Sequence, residues 1–354
     1  MRMALKVLPV FALLLFATTA SAQEEAVDDK VTVEKSAETS EEAEGIPDSV
    51  ALLTGSSSGG KRKLPFGGFL LLEGQLGSGT FVNGASKTPY FAWLLSVRPR
   101  YYFTDQVFLE LRIDLQQELT MSYGTTTAKK RQLKPSDTLI TAKWQNAAAY
   151  KTWLMFSPYV RVGAPSSYES HFRDQYLSLA AGFDLTSILG PVVLTYSFRF
   201  NKNFNEHSVA TVGKDDLRPV SSVRAGGAED LGSSIATGIN NTSFSIFNSL
   251  MASFLISDEW TLTAQFALAN AWTYYAGPQH ESKGAIVGRG QRDLMYGVLD
   301  LTYQPFKHVG FSMGISTRQL PKTSNNKGYR FPWWDTQAPQ DNNSAVYFDV
   351  FATY

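Results

Sequence analysis

The sequence predicts an all-β protein: an antiparallel up-and-down transmembrane β-barrel of about 12 strands, preceded by a disordered N-terminal segment. Three observations carry this. From Phe69 onward apolar and polar residues alternate with a period of two, the alternating segments are long, and the connections between them alternate short with long. Successive side chains of a strand point to opposite faces, so a period of two writes one apolar and one polar face. A helix of the same sequence would smear both types around its axis.

The N-terminus reads as an address. Arg2 and Lys6 flank the start of a short apolar run over residues 8–16, and Ala20-Ser21-Ala22 offers a cleavage site before Gln23. That is the pattern of a secretory signal peptide over residues 1–22, and the run is too short to span a bilayer comfortably. The rival reading is a retained anchor. Residues 23–50 hold ten acids and two lysines and no aromatic residue. Such a stretch buries too little surface to offset its ordering entropy and is expected to be disordered. A Gly/Ser-rich linker ending in Lys61-Arg62-Lys63 follows, so residues 23–67 form a periplasmic tail and linker, and residues 68–354 the barrel. The tail is either a solvated spacer or a salt-sensitive plug that docks on a basic surface.

Charge and cysteine usage exclude other classes. The 354 residues carry 32 Lys+Arg, 32 Asp+Glu and no cysteine. A disulfide scaffold and a Cys-ligated zinc module are therefore ruled out, and no basic tract is dense enough for nucleic acid.

The strands follow in order, starting near residues 69, 90, 106, 137, 153, 174, 191, 242, 259, 292, 309 and 344. The third is the clearest: Val107, Leu109, Leu111, Ile113 and Leu115 fall on one face, and Phe108, Glu110, Arg112, Asp114, Gln116 and Glu118 on the other. The second opposes Phe91, Trp93, Leu95, Val97 and Tyr101 to Ser96, Arg98, Arg100 and Tyr102. The same alternation marks Val192, Leu194, Tyr196, Phe198 and Phe200, then Trp260, Leu262, Ala264, Phe266 and Leu268, then Val309, Phe311, Met313 and Ile315. Many segments run about 10–15 residues, enough to cross a bilayer obliquely. A soluble sandwich would alternate too, so the connections decide. Short ones fall at Thr104-Asp105, around Lys151, at residues 187–190, at Ser257-Asp258 and at Phe306-Lys307. Long ones fall at 119–136, 204–241, 275–291 and 321–343. Every second connection of a membrane barrel lies on the same side, which is what this rhythm requires.

The last segment adds a resemblance. Val346, Phe348, Val350, Ala352 and Tyr354 place apolar groups at alternate positions and finish on an aromatic residue. This resembles the assembly signal of bacterial outer-membrane β-barrel proteins, with Tyr where Phe is usual. The resemblance is to an architecture and implies an outer-membrane location, contact with lipid and lipopolysaccharide, and handling by the outer-membrane assembly machinery. Aromatic residues near segment ends, among them Trp93, Trp260, Trp272, Tyr303, Trp333 and Trp334, fit interfacial girdles.

If the apolar faces meet lipid, the other faces line the lumen. The expected lining is Arg98, Arg100, Glu110, Arg112, Asp114, Arg161, Asp184, Arg199, Asp300 and Arg318, with Glu118 beside them and small residues such as Ser249, Ser253, Thr263 and Ser312 on the later strands. Either the charges pair and stiffen a filled barrel, with Arg98 and Arg100 beside Glu110 and Asp114, or charge rows and the small-residue wall leave a polar path. Passage of small polar or charged solutes is the first functional reading, and a closed barrel acting through its outer loops the second. A hydrolase at the rim, using His207 or His171, is the third.

Other motifs fail. Gly55 to Lys61 matches a phosphate-binding loop, but Arg62 stands where a magnesium-ligating Ser or Thr is needed and no helix follows. The four histidines, His171, His207, His280 and His308, have no metal-binding spacing. His207-Ser208 with Asp215 and Asp216 falls in a loop without rigid support. No cofactor, metal or catalytic residue is assigned, and the chain is not expected to be an enzyme.

Overall fold

The structure is a computed structural model that describes residues 65–77, 91–120, 131–150, 153–213, 229–230, 234–278, 287–322, 327–333 and 344–354. The expected signal peptide, acidic tail and most of the linker lie outside the described residues.

In chain order the strands are β1 (Phe66–Gly77), β2 (Phe91–Tyr102), β3 (Val107–Glu118), β4 (Leu133–Pro135), β5 (Thr138–Trp144), β6 (Ala148–Tyr150), β7 (Leu154–Ala164), β8 (Gln175–Leu189) and β9 (Val192–Asn205). They continue as β10 (Val209–Gly213), β11 (Glu229–Asp230), β12 (Ser234–Asn240), β13 (Thr242–Leu255), β14 (Trp260–Thr273), β15 (Gln291–Tyr303), β16 (Val309–Gln319) and β17 (Ser344–Thr353). Among the described residues one short helix, α1 (Tyr168–Phe172), lies between β7 and β8.

Twelve of these strands form the wall, in the order β1-β2-β3-β5-β7-β8-β9-β13-β14-β15-β16-β17. Every neighbour is antiparallel, and β17 returns to β1 with Leu72 opposite Val350 and Glu73 opposite Asp349. Closure leaves the wall without an edge, the condition for a sheet to sit in lipid, where no water satisfies an open row of N–H and C=O groups. The seal continues past the last strand residue, because Gly68 N–H donates to the Tyr354 carbonyl at 2.9 Å and Tyr354 N–H to Gly68 at 3.2 Å. Gly68 matters here for its missing side chain: a Cβ would overlap the Tyr354 ring.

The alternation sorts the faces. On β3, Leu109 and Ile113 are exposed while Glu110, Arg112, Asp114 and Glu118 are buried. On β2, Phe91 and Tyr101 are exposed while Ser96 and Arg98 are buried. On β17, Phe348 is exposed and Tyr347, Asp349 and Phe351 are buried. Large apolar groups outside and charged groups inside invert a soluble core, as a barrel solvated by lipid requires.

Two connections differ from the sequence reading. The turn expected over residues 187–190 is tighter. β8 runs on through Leu189, and the chain reverses at Gly190-Pro191, with Gly190 at φ +63°. A two-residue hairpin with glycine leading has the twist that its flanking strands need, which keeps the exposed Leu189 on the outer wall. Within residues 204–241, β10, β12 and β11 form a separate three-stranded sheet.

Candidate channel lumen

The inner face has three chemically distinct sectors. The first lies on β2, β3, β5 and β8 and is ion-paired. Arg100 and Glu110 are directly opposite in register, and Arg100 Nε meets Glu110 Oε2 at 2.6 Å. Arg112 and Asp114 stand two residues apart on one strand, so both point inward, and their contact is 2.6 Å. Lys143 Nζ reaches across to Asp184 Oδ2 at 2.7 Å, and Ser197 Oγ donates to the other oxygen at 2.6 Å. Arg98 has contacts beyond those expected. The residue opposite Asp114 is Ser96, and Arg98 Nε donates to Ser96 Oγ at 2.9 Å while its guanidinium sits 5.4 Å from the Phe69 ring centre.

The second sector is a carboxylate corner on β1, β15 and β17. Glu73 and Asp349 face each other across the closing seam. Asp349 Oδ2 accepts from Ser312 Oγ at 2.8 Å, and Asp300 accepts from Tyr347 Oη at 2.8 Å and Thr302 Oγ1 at 2.6 Å. Gly314 lies opposite both Asp300 and Tyr347, and a Cβ there would overlap the Tyr347 hydroxyl. The sequence reading named Asp300 but passed over Glu73 and Asp349. Both occupy alternate positions between apolar neighbours, a signal that was legible.

The third sector lies toward the end of the barrel that carries the long connections, and its cations stand over aromatic rings. Arg199 is 4.8 Å from the Phe247 ring centre, Arg161 5.8 Å from Tyr159 and Arg318 5.8 Å from Tyr296. Lys202 is 4.4 Å from the Tyr274 ring and donates to Ser243 Oγ at 2.7 Å. A cavity of about 100 Å³ opens here, bounded by Arg161, Arg199, Asn201, Ser245, Phe247 and Tyr296. Of the small residues expected on the later strands, Ser249, Ser253, Thr263 and Ser312 do not bound it. Ser253, Thr263 and Ser312 are at most 2 % exposed, and Ser253 and Thr263 bond each other at 3.0 Å.

A strap crosses the outer wall. Thr317 shares the face of the exposed Met313, Gly297 that of Leu299, and Ser344 that of Phe348, yet Met295, Thr317, Gln319 and Ser344 are buried. The residues over them are Phe331 to Trp333. Gln319 Nε2 donates to the Phe331 carbonyl at 2.6 Å, Thr317 Oγ1 donates to the Trp333 carbonyl, and Trp333 Nε1 donates to the carbonyls of Val298 at 2.8 Å and Gln265 at 3.2 Å. Trp333 is therefore docked on the wall, and Trp334 lies outside the described residues.

The remaining candidates are scattered. His171 lies on α1, His207 is exposed with Glu206 4.0 Å away, and His308 Nδ1 is 3.0 Å from the Thr353 carbonyl. His280, Asp215 and Asp216 lie outside the described residues. Among the described residues no group of three or more His, Cys, Asp or Glu side chains is arranged to hold a metal ion.

No protein-family model and no curated protein matches the chain. Solved structures of similar shape include the COG4313 outer membrane channel from Pseudomonas putida F1, at 12 % identity and a TM-score of 0.49 over 84 % of this chain and 99 % of that one. The NanC porin matches at 9 % identity and a TM-score of 0.42 over 80 % and 98 %. The outer membrane channel DcaP of Acinetobacter baumannii matches at 10 % identity and 0.32 over 84 % and 100 %. The chain is a closed twelve-stranded antiparallel barrel that resembles outer-membrane channel and porin folds.

Proposed function

We propose that this protein is a passive channel of the bacterial outer membrane for small polar or charged solutes, with selectivity set by the charged inner face. The observation that supports it best is the cavity of about 100 Å³ that opens among the cations of the third sector, at the end bearing the long connections. A ring of polar and charged groups around such a space replaces part of a solute's hydration shell, which is how pores select. Twelve strands also fall between the filled eight-stranded barrel and the open sixteen-stranded one. On this reading the chain enters the envelope by a cleaved signal peptide, and the outer-membrane assembly machinery inserts it through the C-terminal segment ending in Tyr354.

A second reading, a closed barrel with a structural or surface-binding role, draws support from the depth of burial elsewhere inside. Arg98 is 1 % exposed and Ser253 0 %. Liposome swelling separates the two. Vesicles carrying the full mature protein swell in isotonic arabinose and more slowly in larger sugars if it is a channel. Swelling no faster than that of empty vesicles supports the closed barrel.

A further inference from the structure

The third sector contains more than a charged wall. Arg161 and Arg199 approach the space from β7 and β9, and Arg173 approaches it from the connection after α1. Arg161 Nε is held by Thr141 Oγ1 at 3.0 Å, and Arg199 lies over the Phe247 ring. The Arg173 backbone is fixed as firmly. Its carbonyl accepts from Asn205 Nδ2 at 2.9 Å and from Asn241 Nδ2 at 3.1 Å. Its side chain has a buried Nη2 with no hydrogen-bond partner among the described residues. A buried guanidinium nitrogen without an acceptor is costly, and a shift of this side chain toward the space it borders would let an anionic ligand satisfy it.

The acids on the same rim cancel this only in part. Asp137 is 5 % exposed, and both its oxygens serve the connection itself, accepting from Ser167 N–H at 2.8 Å, from Ser170 Oγ and from Gln175 Nε2 at 3.4 Å. The three arginines face two acids, Asp137 and Glu169, a net charge of +1 on the lining. Between the arginines stand Asn201, Asn203 and Ser178, which offer donors and acceptors suited to hydroxyl groups, and the Phe247 and Tyr296 rings offer flat apolar faces.

We infer that this is a binding site for a small hydroxylated carboxylate, the guanidinium groups taking the carboxylate and the amides the hydroxyls. The inference deepens the channel reading and rests on it for its use: the site is where the channel concentrates such a solute. Binding must be weak enough for release, so a dissociation constant in the millimolar range is expected.

The test is calorimetric titration of the refolded full-length mature protein in detergent with gluconate, with sorbitol as the uncharged counterpart. Gluconate binds and sorbitol does not. R173Q and R199Q each weaken gluconate binding about tenfold, while K307Q, which removes a cation in a short turn, leaves it unchanged. Binding of both solutes alike, of neither, or of gluconate by R173Q and R199Q as tightly as by the parent overturns the site. Should R173Q fail to fold, R199Q alone carries the comparison. Sugar-driven liposome swelling distinguishes the two claims. Swelling without a gluconate preference removes the site and leaves the channel, whereas gluconate binding without swelling removes the channel.

Discussion

Trp333 donates its indole N–H to the backbone carbonyl of Val298 at 2.8 Å, from the outer side of the barrel wall. The neighbouring Gly297 makes the approach possible, because a Cβ there would overlap the Pro332 carbonyl. The strap covers Thr317, Gln319 and Ser344, polar groups on a face otherwise given to lipid. Covering them satisfies hydrogen bonds that hydrocarbon cannot.

Trp333→Phe keeps the ring and removes the donor, and a net loss of about 1 kcal/mol is expected. Gly297→Val prevents the strap from seating and should cost more. Urea midpoints from heat-modifiable gel mobility measure both. Parental midpoints for both variants would show that the strap does not hold the wall.

Little of this strap was legible in the sequence. The twelve strands were, because each carries its own period of two and its own turn signals. The strand starts expected near 106, 191 and 309 are observed at Val107, Val192 and Val309. The inner pairings were only partly legible. Arg100 and Glu110 meet as expected, but the contact between Arg98 and Ser96 was not legible, because register, which no local pattern fixes, puts Ser96 opposite Asp114. The position of Arg173 depends on Asn205 and Asn241, 32 and 68 residues further along the chain. Contacts at that separation leave no periodic trace.

Asp184→Asn tests the ion-paired sector. Lys143 would keep its charge and lose the carboxylate 2.7 Å away. Removing one partner of a largely buried pair costs on the order of 3 kcal/mol. A drop of that size in urea-dependent stability is expected, with a reversal potential shifted toward anions. An unchanged midpoint would mean that water already screens the pair.

The carboxylate corner predicts the opposite sign. Glu73 and Asp349 face each other across the β1–β17 seam, both buried, and two buried carboxylates directly opposite cannot both ionise. Asp349→Asn removes this conflict and keeps an acceptor for Ser312 Oγ. A gain of about 0.5–1 kcal/mol is expected from the same urea measurement. A loss would mean that the carboxylate makes a contact an amide cannot replace.

The lipid-facing wall is tested by Met313→Arg. Met313 is 57 % exposed on the outer face of β16. A charge there should cost about 2–4 kcal/mol in a bilayer. A variant that folds into vesicles as stably as the parent would contradict the assignment of that face to lipid.

Single-channel recording of the refolded mature protein in a planar bilayer tests the central claim most directly. The account predicts discrete conductance steps with a reversal potential biased toward anions in a salt gradient. A silent membrane, with folding verified by heat-modifiable mobility, would contradict it.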